Sequence, residues 1–330
     1  MIEQAAPGIY SILIPLPGNP LKSLNAYLIR KAGSGGRNLL IDTGFRMDAC
    51  RQAMDEALTA LDISMDETDI FLTHVHSDHT GLAPELAGPD TKIFLSGYDR
   101  TRLPGKLCEL DWNESDAFFL SHGFPEAELR EVETKNPARA WMPPPYDDYI
   151  KICEGDVYHY GGYELEAIAT PGHTPGHMCL FDRESGIMFT GDHVLFDITP
   201  NITSWLNFPN SLGAYLDSLK KVAAYPVRIP LPGHRAVHCS FQERIEQLQA
   251  HHSRRCGEVL QILQNTSEAV PAYVITSHMT WRIRCNGWED FPAAQKWFAV
   301  GEAIAHLEYL ESLGQVERVR DGQHILFRAV

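Results

Sequence analysis

The sequence predicts an α+β protein with one large domain followed by a small one. Three observations carry this. The 330 residues exceed the roughly 150 of an average domain but fall short of a large multidomain enzyme. Strand-type apolar runs come early and often, in a mixed rhythm with helical segments. After a long amphipathic helix, the chain closes on the order helix, helix, hairpin. With 44% hydrophobic and 22% charged residues, the composition is that of an ordinary globular chain able to bury a sizeable core.

Taken in order, Ile9 to Leu16, Leu24 to Arg30 and Asn38 to Ile41 read as strands, the last two separated by the turn Gly33-Ser34-Gly35-Gly36. Met47 to Leu61 carries apolar residues at helical spacing, Ile70 to Thr73 is a short buried strand, a helix begins across Asp78 to Leu86, and Lys92 to Leu95 is a further strand. From Ser96 to about Asp156 the rhythm breaks: Trp112, Phe118, Phe119, Trp141 and Tyr146 are mixed with acids and the tract Met142-Pro143-Pro144-Pro145. Compact domains rarely carry so long a connection without a job, so residues 96–156 are expected to be an inserted helical or loop segment capping a site. Strands resume at Tyr163 to Thr170, Met178 to Phe181, Gly186 to Thr190 and Val227 to Leu231, with a helix over Ser211 to Ala224 between the last two. Phe241 to Gln264 is strongly amphipathic, with Ile245, Leu248, Val259, Leu260 and Leu263 on one side. Helices near Ala269 to Met279 and Ala293 to Leu313 lead into Val316 to Arg320 and His324 to Arg328, joined by Asp321-Gly322, a strong hairpin signal. That is winged-helix order. The expected division is a first domain over 1–240, containing the cap segment, and a winged-helix-like domain with its long leading helix over 241–330.

Charge narrows the partners. With 28 basic and 43 acidic side chains the formal net charge is −15, which repels polyanions unless a strong basic patch overrides it. Residues 240–330 hold nine Lys or Arg and eleven Asp or Glu, a balance of −2, with no basic cluster on the Ala293 to Leu313 helix. A small-molecule substrate is expected and nucleic acid is disfavoured, while the tail reads as a lid or as a packing or homodimerisation module. The chain has no uncharged apolar run of about 18 residues, and Met1-Ile2-Glu3-Gln4 lacks the basic-then-apolar secretory pattern, so no membrane partner and a cytoplasmic location are expected. The seven cysteines are odd in number and never in a Cys-x-x-Cys pair, which fits reduced thiols, each by default a buried small hydrophobe.

The chemistry is concentrated at four strand ends. Thr73-His74-Val75-His76-Ser77-Asp78-His79 places three imidazoles and a carboxylate within six residues, where a strand end turning into a helix can aim them in two directions. Thr170-Pro171-Gly172-His173-Thr174-Pro175-Gly176-His177 offers His173, Thr190-Gly191-Asp192-His193 offers Asp192, and Pro232-Gly233-His234 offers His234. A divalent ion takes about four such ligands in a structural site, or three and a water in a catalytic one, so seven side chains make two sites the natural count. Imidazole with carboxylate suits zinc, iron or manganese. His177 and His193 lie inside these motifs but outside the ligand order. His122, His159, His238, His251, His252, His278, His306 and His324 read as core or surface residues, and Arg254-Arg255 as a solvated helix face.

The order His-x-His-x-Asp-His, then His, Asp and His, resembles the metallo-β-lactamase superfamily over roughly residues 8–264. The resemblance implies an αββα sandwich with a metal site at one edge. It implies that His74, His76 and His173 hold a first ion, that Asp78, His79 and His234 hold a second, and that Asp192 bridges them. It also implies that Asp42, in Ile41-Asp42-Thr43-Gly44, orients a ligand from behind. The cofactor expected is a pair of divalent ions, zinc first, with iron or manganese as alternatives. Ions roughly 3.5 to 4 Å apart would activate a shared hydroxide and polarise the scissile bond, with Asp78 or a metal-bound water, or else His177 or His193, relaying a proton to the leaving group.

The superfamily cleaves many bonds, so fold alone does not name the substrate. The tail resembles the group of β-lactamase-like protein 2, which includes ribonucleases, and the metal motif also resembles glyoxalase II and the mononuclear-iron persulfide dioxygenases. Acidic charge ranks a hydrolase of a small ester, thioester or lactone first, with a metal-dependent endoribonuclease or a persulfide dioxygenase-like enzyme as alternatives.

Overall fold

Four strand ends that carry the histidine and aspartate motifs converge because of how two sheets run. The structure of the chain, a computed structural model, describes every residue except 34 and 282–284, so the turn expected at Gly33-Ser34-Gly35-Gly36 falls partly outside the described residues. The first sheet follows chain order: β1 (Ile2–Ala6), β2 (Ile9–Pro15), β3 (Ser23–Ile29), β4 (Asn38–Ile41), β5 (Thr68–Phe71), β6 (Ile93–Ser96) and β7 (Ile150–Ile152). Strands β1 to β4 pair antiparallel and β4 to β7 parallel. Parallel neighbours need crossovers. These are α1 (Asp48–Ala60) between β4 and β5, and the short α2 (Ser77–Thr80) and α3 (Ala83–Leu86) between β5 and β6. Every residue of β4, β5 and β6 is buried, as expected of strands covered on both faces.

Between β6 and β7 the chain forms α4 (Trp112–Ser121), α5 (Glu126–Lys135) and α6 (Pro137–Ala140). The second sheet has the order β12-β11-β10-β9-β8, from β8 (Val157–Tyr160), β9 (Tyr163–Ala169), β10 (Met178–Asp182), β11 (Ile187–Gly191) and β12 (Ile229–Pro232), with α7 (Ser211–Ala223) between the last two. Strands β8 to β11 pair antiparallel and β11 with β12 parallel. The sheets share one core, in which Ile29, Leu39, Ile41, Phe71 and Phe94 of the first meet Leu165, Leu180, Ile187, Phe189 and Leu231 of the second. The carboxyl ends of β4, β5, β9, β11 and β12 therefore come to one edge.

Most expected elements stand within two residues of their predicted limits, and the departures have local causes. The helix expected across Asp78 to Leu86 is two short ones, because Pro84 starts a new turn in α3. Strands β1, β7 and β8 were not anticipated, nor was the short strand Val270–Pro271 where the helix near Ala269 was expected to begin. β7 is a three-residue edge strand with Ile150 and Lys151 exposed, too short and too polar to show a period.

The described residues divide into two compact units: Met1–Leu110, Trp141–Pro200 and Ser218–Arg244 in one, and Asp111–Ala140, Asn201–Asp217 and Ile245–Val330 in the other. After α8 (Phe241–Gln264), the second unit contains β13 (Val270–Pro271), α9 (Ala272–His278), α10 (Ala293–Ser312), β14 (Val316–Asp321) and β15 (His324–Ala329), the strands in the order β13-β15-β14. Within it Phe119 stacks on Trp297 and His122 on Phe327, so the aromatics of α4 serve as core. Arg255 corrects the expectation of a solvated face. It is buried, pairs with Glu258 at 2.6 Å and Glu302 at 3.3 Å, and lies over the Trp281 ring, which together offset its desolvation. Cys108, Cys153 and Cys285 are exposed rather than buried. No described helix is long and apolar enough to cross a membrane.

Candidate metal centre

His74, His76, Asp78 and His79 follow β5 directly. Leu72 N–H bonds to Phe94 O and Asp42 N–H to Phe71 O, so the backbone is still held by both neighbours as it leaves the sheet. The turn then enters α2, which sets His79 one helical step beyond Asp78. His173 sits in the loop after β9, Asp192 immediately after β11 and His234 two residues after β12. Gly191 and Gly233 precede the last two because there is no room for more. A Cβ at 191 would lie 2.7 Å from His177 Nε2, and one at 233 would lie 2.6 Å from Asp192 Oδ1.

The structure brings all seven expected side chains together. Ligand-type atoms of His74, His76 and His173 lie within 4.8 Å of one another, as do those of Asp78, His79 and His234, and those of His74, His79 and Asp192. The His76 Nδ1 atom is 3.1 Å from His74 Nε2 and 3.0 Å from His173 Nε2. Asp192 faces both sets: Oδ2 is 3.6 Å from His173 Nε2 and 3.4 Å from His234 Nε2, and Oδ1 is 3.5 Å from His79 Nε2. His234 Nε2 also stands 3.3 Å from Asp78 Oδ2.

Groups behind the cluster fix the rings. Asp42 Oδ2 accepts a hydrogen bond from His79 Nδ1 at 2.7 Å and from the Thr73 hydroxyl at 2.8 Å, and Oδ1 accepts from Thr73 N–H. A carboxylate only accepts, so His79 carries a proton on Nδ1, and Nε2 is the atom left to face Asp192 and to serve as a ligand once its own proton is displaced. His234 Nδ1 likewise donates to Ser23 O at 2.7 Å. His177 stays outside the ligand groups: its Nε2 accepts from Asp192 N–H at 3.1 Å and its Nδ1 donates to the Thr170 hydroxyl at 2.8 Å, so it holds the Asp192 turn. His193 is buried with its backbone partner at Ser218. The sequence pointed to Asp42 but not to Thr73 or Ser23, since a threonine beside a strand end and a backbone carbonyl carry no signal of their own.

The electrostatics call for positive charge. Burial opposes charging His79, but Asp42, Asp192 and Asp78 outweigh it and hold the imidazole well above its ordinary pKa. Burial likewise works against His234, yet Asp192 and Asp78 raise it to about 10. Burial favours the neutral form of Asp78, but His79 and His234 bring it down to about 2. For His74 and His76, burial and neighbouring rings work together and depress the pKa, to about 3 at His76. His79 Nε2, His234 Nε2 and Asp192 Oδ1 are buried without a hydrogen-bond partner, and the Asp192 carboxylate stands at ion-pair spacing from both rings. Buried polar atoms without hydrogen bonds cost free energy, and divalent cations between these donors would satisfy them. The residues present therefore fit the metal pair.

Comparison with known proteins agrees with the geometry. The family described as the metallo-beta-lactamase superfamily matches residues 20–91 and 112–234, and one described as metallo-beta-lactamase-like, C-terminal domain matches residues 289–329. The chain is 27% identical over 271 residues to an atrochrysone carboxyl ACP thioesterase of Aspergillus novofumigatus, covering 81% of this chain and 66% of that protein. It is 29% identical over 265 residues to an atrochrysone carboxyl ACP thioesterase of Aspergillus fumigatus, covering 80% and 67%. It thus spans about two thirds of the length of these curated relatives. A solved structure, a metallo-beta-lactamase family protein of Thermus thermophilus, is similar at 28% identity and a TM-score of 0.81, covering 98% of this chain and 99% of that one.

Proposed function

This chain belongs to the metallo-beta-lactamase superfamily, and from that premise we propose that it is a metal-dependent hydrolase acting on a thioester of a small acyl group. His74, His76 and His173 would hold one divalent ion and Asp78, His79 and His234 the other, with Asp192 between them and zinc the first choice of metal. Bound there, such ions supply a water acidic enough to attack near neutral pH and a Lewis acid for the scissile carbonyl. The chain's own residues do the rest. Asp42 fixes the His79 proton on Nδ1, His177 holds the Asp192 turn, and the buried Asp78 carboxylate would take the proton of the attacking water and return it to the leaving sulfur.

The observation that carries the reading is the convergence of the two ligand sets on Asp192, with His79 Nε2, His234 Nε2 and Asp192 Oδ1 buried and without hydrogen bonds. The thioester enters from the names of the relatives and from leaving-group chemistry, since a thiol of pKa about 8.5 departs with less help from a general acid than an amine does. A ribonuclease would need free clustered cations. In the second unit Arg139 pairs with Asp116, Arg255 with Glu258 and Glu302, Lys296 with Glu128 and Arg318 with Glu311, so these cations are already engaged by carboxylates. A winged-helix-like tail serving packing rather than nucleic acid, and work in a reducing cytoplasm, belong to the same proposal.

The test pairs metal analysis with a substrate panel. Purified protein should contain two divalent ions and cleave an acyl thioester of N-acetylcysteamine faster than the matching oxygen ester or lactone, and His74→Ala with His76→Ala should remove both properties. Unchanged metal content and hydrolysis in that double variant would sink the metallohydrolase reading. Faster turnover of the oxygen ester would sink the thioester assignment alone.

A further inference from the structure

Asp99 lies in the short helical turn Asp99–Arg102 that follows β6, outside every motif that marks the metal centre, yet it is fully buried. Three donors converge on its carboxylate. Oδ2 accepts from Val75 N–H at 2.9 Å and from the Thr174 hydroxyl at 2.9 Å, and Oδ1 accepts from Gly176 N–H at 2.9 Å. Its own N–H is held by Ser96 Oγ at 3.2 Å, which anchors the residue to the end of β6.

The identity of those donors gives the arrangement its meaning. Val75 stands between His74 and His76, and Thr174 follows His173. One carboxylate therefore ties together the two loops that supply the His74, His76 and His173 set, which come from different sheets and are joined at their bases by Met178 N–H to Thr73 O at 2.8 Å. The approach is close. A Cβ at Gly176 would fall 2.0 Å from Ser96 Oγ and 2.5 Å from Asp99 Oδ1, so glycine at 176 is what lets the loop reach the carboxylate. The second half of the Thr170-to-His177 motif, which offers no ligand of its own, is accounted for by this contact. The other set is tied differently: His79 to Asp42 and His234 to Ser23 O.

We propose that Asp99 is a positioning residue for the metal centre, one that sets the spacing of the His74–His76 turn against the His173 loop and thereby the affinity of that ligand set for its ion. The proposal rests on the metal-centre reading above. It needs a carboxylate and not merely a polar side chain. Both oxygens face donors only, so an asparagine, whichever way it is turned, sets an NH2 group against Val75 N–H and the Thr174 hydroxyl or against Gly176 N–H. Residues that orient metal ligands from behind typically contribute about 10- to 100-fold to metal affinity. Because Asp99 touches neither the Asp78, His79 and His234 set nor the groups behind it, the effect is one-sided.

The test uses the whole chain, stripped of metal and titrated with zinc against a chromophoric chelator, in the wild type, Asp99→Asn, Thr174→Val and Gly176→Ala. The readouts are the two zinc affinities and the thermal midpoint of the metal-free protein. The result expected is that Asp99→Asn weakens one zinc by about 10- to 100-fold and leaves the other within about twofold. Thr174→Val, which removes a single hydroxyl from a buried site, should weaken the same zinc less. In a His79→Ala background, where the other set is disabled, Asp99→Asn should weaken the one remaining zinc. Two outcomes overturn the proposal with the metal reading intact: both affinities unchanged in Asp99→Asn and Thr174→Val, or both falling equally alongside a lower metal-free midpoint, which is a merely structural role. A wild-type chain that takes up no zinc, manganese or iron overturns the metal reading itself and this proposal with it.

Discussion

Replacing Asp42 by asparagine probes how the protein dictates the tautomer of a ligand. Asp42 has a left-handed backbone, φ 59°, which asparagine tolerates almost as well, so the change adds little strain. The side chain is another matter. Oδ1 serves Thr73 N–H, while Oδ2 serves both the Thr73 hydroxyl and His79 Nδ1. If the new amide nitrogen replaces Oδ1, it meets Thr73 N–H and leaves a buried donor unpaired, at a cost of about 1–3 kcal/mol. If it replaces Oδ2, it donates to His79 Nδ1, leaves the ring proton on Nε2 and takes away the lone pair that Nε2 would offer an ion. Either way the ligand is misprepared, and the expected loss in metal affinity is about 10- to 100-fold, roughly 1.4 to 2.7 kcal/mol, confined to the Asp78, His79 and His234 set. Asp42→Ala takes the acceptor away from all three donors and adds a left-handed alanine, so its metal-free form should lose roughly 3 kcal/mol or more, a large part of the 5–15 typical of folded proteins. Chelator competition gives the first number and urea unfolding of the metal-free protein the second. Zinc affinity in Asp42→Asn within about twofold of wild type would refute the tautomer argument.

Three further outcomes follow from the same geometry. Gly81→Ala should lower the metal-free thermal midpoint by an amount equivalent to about 1–3 kcal/mol, because its Cβ would sit 2.5 Å from Arg46 N and 2.6 Å from Ser77 O, both backbone atoms. Gly257→Ala in α8, with open space around it, should raise the midpoint instead, and a drop at both positions or at neither would contradict the packing. Burial holds His122 down to about 4 and His306 to about 3. The unfolded chain then takes up their protons first, and the stability from neutral rings, complete above about pH 6.5, drains as pH falls from there toward those values. Metal-free His122→Phe should show a lower acid-unfolding midpoint than wild type, and an unchanged midpoint would remove His122 from the account. Finally, Ellman's reagent should label Cys108, Cys153 and Cys285 quickly and Cys239 more slowly. It should reach Cys50, Cys179 and Cys256, whose thiols burial pushes up to about 11, about 12 and about 11, only on unfolding. Fast labelling of Cys179 in native protein would contradict its burial between Thr170 and Thr190.

The clustering of the candidate site was readable from the sequence because the residue types that suit a metal ion are few and sit close together in the chain. His74, His76, Asp78 and His79 crowd into six residues after a visible strand, and His173, Asp192 and His234 each follow another. The residues that hold them were less readable. Asp99 sits in Gly97-Tyr98-Asp99-Arg100, where nothing marks an aspartate as buried, and its partners Val75, Thr174 and Gly176 are far away in sequence and exist only once the sheets pack. The same division runs through the fold. Strands of alternating or continuous apolar residues such as β2 and β10 could be read to within a residue or two. By contrast β7 and β8 form because neighbouring strands offer them edges, which no period records. Arg255 looked solvated because its helix is charged there, and Glu302, which accepts from it at 3.3 Å, lies 47 residues on.

His234 Nδ1 reaches Ser23 O across a sequence separation of 211 residues, and the last ligand set closes only when β12 has joined its sheet. During synthesis, then, the chain cannot offer a complete pair of sites until most of it has emerged and both sheets have formed. On the proposed metal-centre reading, uptake would follow folding instead of nucleating it, in contrast with small zinc domains whose ligands sit on one hairpin. A cell that loads such a protein would in effect be sampling finished molecules, and a truncation that loses β12 would keep the histidine-rich turn while taking His234 and its tie to Ser23 away from the proposed second ligand set.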